Sequence, residues 1–188
     1  MSMKKYVCMD IGGTSIKYGL INEAGEILVS KQRATEAYQG GSSILAKAVE
    51  IVEEYTKKQV IHGICISTAG MVDVEKGEIF YASDAIPGYT GAKFKTVLEE
   101  RFHVPCEVEN DSNCAGLAEY VSGAAKGCKN ALILTIGTGI GGCAIINGSV
   151  YHGFSGSACE IGYMCMDGSD FQTLGATSVL SKKVNQKK

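Results

Sequence analysis

Cys106-Glu107-Val108-Glu109-Asn110-Asp111-Ser112-Asn113 decides how the rest of the chain is read. After the turn residue Pro105, Cys106-Glu107-Val108 has the character of a short strand, and Cys114 to Val121 has the small and apolar spacing of a buried helix. Asp111 therefore falls at a strand-to-helix corner, where the positive end of the helix dipole keeps its carboxylate ionised. Carboxylates held over the carboxyl ends of strands are where α/β folds place their chemistry. Taken alone, an Asp in this position is most simply a helix N-cap. The chain on either side adds the second reading.

At 188 residues the chain can bury a respectable core, enough for one domain or one and a half. Its formal charge is −2 and it contains no Lys/Arg run, which argues against a nucleic-acid surface or a polybasic membrane anchor. No apolar run approaches the length of a membrane span. Met1-Ser2-Met3-Lys4-Lys5 leads straight into a strand at Tyr6–Met9, leaving no room for a signal peptide, so a cytoplasmic protein is expected. Of eight cysteines, Cys8, Cys65, Cys106 and Cys143 lie inside apolar strands, and no Cys-x-x-Cys or Cys/His cluster has zinc spacing. They are expected to be reduced core residues.

Upstream of the corner, Tyr6–Asp10 is a strand that runs into Gly12-Gly13-Thr14, and Ile16–Ile21 resumes the alternation. Asn22–Gly25 turns the chain into a third strand, Glu26–Arg33. A hairpin closed by Gly-Gly-Thr can present backbone N–H groups to a phosphate, and Asp10 beside it could hold Mg²⁺ through water. By itself the motif is equally an ordinary hairpin. Ser42 or Ser43 is expected to cap a helix whose apolar face is Ile44, Leu45, Ala48, Val49 and Val52 and whose polar face is Lys47, Glu50, Glu53 and Glu54. Val60–Ile66 reads as a strand ending in the polar loop Ser67-Thr68-Ala69-Gly70, and residues 73–81 as a hairpin with Lys76-Gly77 at its tip. Ile86-Pro87-Gly88-Tyr89 is a turn, and Lys93–Phe102 an amphipathic helix that returns to the central corner.

Downstream, Gly123–Gly127 breaks the helix and Ala131–Ile136 reads as a buried strand ending in Gly137-Thr138-Gly139-Ile140-Gly141-Gly142. That string satisfies G-x-G-x-x-G, but the dinucleotide motif needs a helix directly after the glycines. Here Cys143–Ile146, Asn147-Gly148 and Ser149–Tyr151 read as strand, two-residue turn, strand. What the pattern supports is an internal echo of residues 6–33 beginning again near 131. Two such hairpins facing each other across a cleft would supply N–H groups to one polyphosphate.

With these residues on the page, the chain resembles the ROK family of sugar kinases and sugar-responsive repressors, within the actin-like ATPase (ribonuclease H-like) superfamily of α/β folds. Asp10–Lys17 resembles its first phosphate motif, Leu134–Gly142 its second, Glu109–Asn113 its catalytic segment, Ile86-Pro87-Gly88 a loop lining its sugar pocket, and Glu160–Tyr163 a further sugar-contact motif. The resemblance implies ATP-dependent phosphorylation of a hexose or hexoside hydroxyl. Asp111 would be the general base, with Asn110, Glu160, Gly88 and Tyr163 at the sugar. Gly12, Gly13, Thr14, Lys17, Gly137, Thr138 and Gly139 would hold the ATP phosphates, and Asp10 would stand near Mg²⁺. Little more is needed, because phosphoryl transfer is mainly positioning and charge stabilisation. Tyr163 replaces the family's usual His, and the segment from Met164 to Thr173 has one Cys and no His, so no zinc site is expected. Gln172 stands where the family has another sugar-binding Glu. Both departures resemble the branch with β-glucoside kinases, leaving a β-glucoside, glucose or an N-acetylhexosamine open as substrate. The alternative is a sugar-binding regulator of the same family without its DNA-binding module.

The resemblance also implies two lobes: 1–122 as an entire first lobe and 123–188 as the opening of a second. A helix over residues 176–184, capped by Thr177 or Ser178, would fray into a basic tail at 185–188. The later segments that in the family form the adenosine pocket and the usual homodimer surface are not seen. The 188 residues are thus expected to be a truncated kinase that binds ATP weakly and exposes apolar surface on its second lobe.

Overall fold

The structure, a computed structural model, describes residues 3–186. Met1 and Ser2 of the stretch before the first strand, and Lys187 and Lys188 of the expected basic tail, lie outside the described residues. The chain forms two compact units, one ending at Asp111 and the other beginning at Ser112.

In the first unit, β1 (Lys5–Ile11), β2 (Ser15–Asn22) and β3 (Ile27–Ala34) form an antiparallel meander. Asn22 closes its second turn by accepting hydrogen bonds from the N–H groups of Ala24 and Glu26 through Oδ1. Helix α1 (Gly41–Thr56) leads to β4 (Gly63–Thr68), then to the hairpin β5 (Met71–Asp73) and β6 (Glu78–Tyr81), helix α2 (Phe94–Phe102) and β7 (Cys106–Asn110). β4 lies parallel to β1 and β7 parallel to β4, giving the sheet order β3-β2-β1-β4-β7. One face of this sheet is core: Val7, Met9, Ile11, Ile64, Ile66, Cys106 and Val108 pack with Ile44, Ile51 and Val52 of α1 and Phe94 and Leu98 of α2.

Helix α3 (Asp111–Ser122) starts at the boundary and leads the second unit, followed by β8 (Ala131–Ile136), β9 (Ile140–Ile146) and β10 (Ser149–Val150). These strands form an antiparallel sheet of order β10-β9-β8, matching the β3-β2-β1 meander of the first unit. The β9–β10 turn has Asn147 and Gly148 both at positive φ (51° and 85°), the signature of a type I′ hairpin. A strand follows Gly139, so the dinucleotide reading is excluded. The short hairpin β11 (Cys165–Met166) and β12 (Ser169–Asp170) and helices α4 (Phe171–Gly175) and α5 (Thr177–Asn185) complete the described chain.

Several expectations are corrected. The N-cap of α1 is Gly40, not Ser42 or Ser43. Gly41 N–H donates to Pro87 O (2.9 Å), and a Cβ at Gly41 would lie 2.4 Å from Gly88 O, so a tertiary approach sets where the helix starts. Lys47, assigned to the polar face, is buried. Val60 to His62 are not strand, and Val60 is exposed. Cys65 is exposed and Cys8 half-buried, because the helices cover only one face of the sheet; Cys106 and Cys143 are buried as expected. α3 buries only Asn113 and Gly116, leaving Leu117 and Val121 exposed, and β8 leaves Leu132, Leu134 and Ile136 exposed. Within the expected second lobe, residues 123–188, Leu132, Leu134 and Ile136 are exposed apolar surface. Neither Thr177 nor Ser178 caps α5, whose N-cap is Ala176; their hydroxyls go elsewhere.

Candidate functional site

The first unit carries a polar group at the carboxyl ends of β1, β4 and β7. Asp10 is registered with Lys17 on β2 and Ser67 on β4. Ser67 Oγ donates to Asp10 Oδ1 at 2.9 Å, and Lys17 Nζ stands 3.9 Å from Oδ2. Gly12 N–H donates to Ser15 O (3.1 Å), which closes the β1–β2 turn. The next two amides, Gly13 and Thr14, make no hydrogen bond among the described residues, and both residues are exposed. Two free donors beside a lysine suit an anion.

A second polar group involves the loop that holds Gly88. Gly88 is exposed at φ 62°, a conformation glycine adopts without strain. The next residue, Tyr89, is buried, and its hydroxyl meets Thr68 Oγ1 at 2.5 Å. Burial pushes the Tyr89 phenol up to about 12, with the Thr68 hydrogen bond opposing the shift. On β7, Asn110 Nδ2 donates to Gly70 O at 3.0 Å, so the polar loop after β4 is pinned to a neighbouring strand end. Asp111 follows as the first residue of α3 and is exposed. In that position a carboxylate gains from the helix dipole.

The second unit repeats the first arrangement. Gly137 N–H donates to Gly139 O (2.9 Å), while the Thr138 and Gly139 amides make no hydrogen bond among the described residues. The loop is tied to the start of α5: Thr177 N–H donates to Gly137 O (2.9 Å) and Ser178 Oγ to Thr138 O (2.7 Å). Gln172 lies against the same loop, since a Cβ on Gly139 would fall 2.9 Å from its Oε1. Glu160 is half-buried and precedes a 3₁₀ turn, Ile161–Tyr163, that packs Gly162 on β9 and leaves Tyr163 exposed. Among the described residues no group of three or more His, Cys, Asp or Glu could hold a metal ion.

Sequence reasoning missed Thr35 and Lys47, which brace the first glycine turn from behind, and the Thr68–Tyr89 pair. A signal for Lys47 existed. Residues 44, 47, 48, 51, 52 and 55 follow the i, i+3, i+4, i+7, i+8, i+11 spacing of a buried stripe.

The profile of the ROK family matches residues 6–179. An uncharacterised protein of Clostridium perfringens is 53% identical over 186 residues, which is 99% of this chain and 63% of that protein. A β-glucoside kinase of Listeria monocytogenes is 38% identical over 160 residues, 85% of this chain and 53% of the relative. Among solved structures, a ROK family glucokinase from Streptomyces griseus in complex with glucose and AMPPNP superposes with a TM-score of 0.82. It is 28% identical, and the match covers 98% of this chain and 61% of that one. The chain thus spans between about half and two thirds of the length of these proteins. Its fold is that of the ROK sugar kinases, an actin-like ATPase fold.

Proposed function

The chain belongs to the ROK family, and on that footing we propose that it is the phosphate- and sugar-binding part of an ATP-dependent kinase acting on a hexose or hexoside hydroxyl. One observation carries the reading. In each unit a Gly/Thr turn ties back the N–H of its first glycine, and the next two amides, at Gly13 and Thr14 and again at Thr138 and Gly139, have no hydrogen-bond partner among the described residues. Two adjacent available amides of this kind are donors for phosphate oxygens. Lys17 adds a cation to the first set, and Asp10 is the carboxylate beside which Mg²⁺ would be held, where the ion would neutralise phosphate charge.

In this reading Asp111 takes the proton from the attacking sugar hydroxyl. Its exposure leaves the carboxylate accessible, on the first turn of α3 where the helix dipole favours negative charge. Asn110 and Glu160 hydrogen-bond sugar hydroxyls, since an amide or a carboxylate can serve two neighbouring hydroxyls. The loop with Gly88 approaches the sugar with backbone, and Tyr163 replaces an imidazole there. The kinases named among the relatives support catalysis over a purely regulatory role. Glucose and β-glucosides are the first substrates to try. A coupled assay for ADP release, run on the full-length protein over a panel of glucose, β-glucosides and N-acetylhexosamines, tests the proposal. Turnover dependent on one of these sugars is expected; ATP hydrolysis indifferent to every sugar would overturn it.

A further inference from the structure

The first glycine turn is braced by residues that lie well outside it in sequence. Thr35, wholly buried at 0% exposure, donates its Oγ1 hydrogen to Gly12 O (2.6 Å) and its N–H to Thr14 O (3.0 Å). It thus grips the carbonyls on both sides of Gly13. Behind it, the buried ammonium of Lys47 on α1 donates to Thr35 O (2.6 Å) and to Glu36 Oε2 (2.7 Å). Glu36 itself sits in the left-handed region (φ 54°, ψ 50°), which an L side chain occupies only when its surroundings hold it there. The Lys47 hydrogen bond also holds the Glu36 carboxyl below its ordinary range, so Glu36 is a carboxylate at neutral pH.

The consequence follows from peptide geometry. A trans peptide unit points its C=O and the following N–H in opposite directions. With Gly12 C=O drawn inward to Thr35, the N–H of Gly13 must face outward, and it is one of the unpaired amides of the exposed turn. We propose that Thr35 and Lys47 are positioning residues that aim the Gly13 amide at the nucleotide phosphates. This rests on the reading of residues 12–14 as a phosphate turn. Neither side chain touches the ligand. Lys47 sets Thr35, and Thr35 sets the turn. A buried lysine is a costly way to fix a loop that needs no fixing, because its charge must be fully satisfied inside the protein.

Thr35→Val keeps the shape and the N–H but removes the hydroxyl donor; Lys47→Met removes the ammonium one link back; Thr35→Ser restores the hydroxyl. The readouts are the ¹⁵N order parameter of the Gly13 amide in the 188-residue chain and a Mg·ATP titration followed through the same amide. In the unaltered chain the order parameter should lie near the rigid value of about 0.85, falling below about 0.6 in Thr35→Val and in Lys47→Met. Thr35→Ser should recover it. Mg·ATP affinity should weaken about five- to tenfold in the two disrupting variants, the effect of one lost hydrogen bond. A Gly13 amide that stays rigid in a folded Thr35→Val or Lys47→Met variant overturns the brace. If the order parameter falls but Mg·ATP shifts no amide of residues 12–14 even in the unaltered chain, the brace stands and the phosphate reading falls instead.

Discussion

Replacing Thr68 by Val should cost more stability than replacing Tyr89 by Phe, and the two changes together should cost less than their sum. Both residues are buried, at 0% and 1% exposure, and their hydroxyls meet at 2.5 Å. Thr68 Oγ1 has a second partner, the carbonyl of Ala69 at 3.2 Å, whereas the Tyr89 hydroxyl has no other partner among the described residues. Tyr89→Phe therefore leaves Thr68 with its donor still used and should cost about 0.5–1.5 kcal/mol. Thr68→Val strands a phenolic hydroxyl in the core, at about 1–3 kcal/mol. In the double variant no buried hydroxyl is left facing apolar surface, so a coupling of about 1 kcal/mol should appear in the cycle. At this chain length each kcal/mol corresponds to about 2–4 °C in Tm. Urea and thermal unfolding of the four proteins by circular dichroism, with amide protection of Val7 and Ile64 marking the first unit, provides the measurement. Additive costs within about 0.3 kcal/mol, or a Tyr89→Phe variant less stable than Thr68→Val, would refute the reasoning.

Three further outcomes are expected. Gly116→Ala should destabilise the packing of α3 on β9 by about 1–3 kcal/mol, since the new methyl would lie 2.4 Å from both Cβ and Sγ of Cys143; Gly116→Ala combined with Cys143→Ala should recover part of the loss in the same unfolding assay. Stability should fall on the alkaline side: below pH 10 folded and unfolded Tyr89 both keep the proton, and between 10 and about 12 only the folded state does. Across that window the loss should be on the order of 2–3 kcal/mol, and Tyr89→Phe should flatten that limb of the pH–stability curve. Elemental analysis of dialysed protein should find no stoichiometric zinc, given Tyr163 and the single Cys165 in the segment where the family resemblance would place a Cys/His loop; about one zinc per chain would contradict this.

The parts of the fold that are legible in the sequence are those written in local chemistry. Gly12-Gly13-Thr14, Asn22–Gly25 and Asn147-Gly148 are turns whose residues suit them, and alternation on either side supplies β1, β2, β8 and β9. The strand-to-helix corner at Asn110 and Asp111 is legible for the same reason. What local pattern cannot supply is the effect of distant backbone. Serines at 42 and 43 are good caps by type, yet the helix begins where Gly41 can slide under the carbonyl of Gly88. Charge alone puts Lys47 on the polar face, although its spacing places it on the buried stripe; its partners, Thr35 O and Glu36, come from a different element. Apolar spacing in α3 and β8 suggests burial, but spacing says which residues share a face and not what covers it. Thr177 and Ser178 look like caps and instead spend their hydroxyls on the second glycine loop and the strand before it. Composition points to the amides of that loop, and only the structure shows which of them are already used.

The proposal that Asp111 is the base of a sugar phosphoryl transfer is tested most directly by Asp111→Asn in the full-length protein. As the first residue of α3, Asp111 contributes only about 0.3–1 kcal/mol to the helix through its charge. The substitution should therefore leave the circular dichroism spectrum and, within a few degrees, the Tm unchanged. Loss of a positioned base lowers the rate by about 10²- to 10⁴-fold, or about 2.7–5.5 kcal/mol of barrier. Sugar-dependent ADP release is predicted to fall by that factor while Mg·ATP still binds. A folded Asp111→Asn variant that keeps more than about half the parent rate would contradict the assignment, because no general base contributes so little.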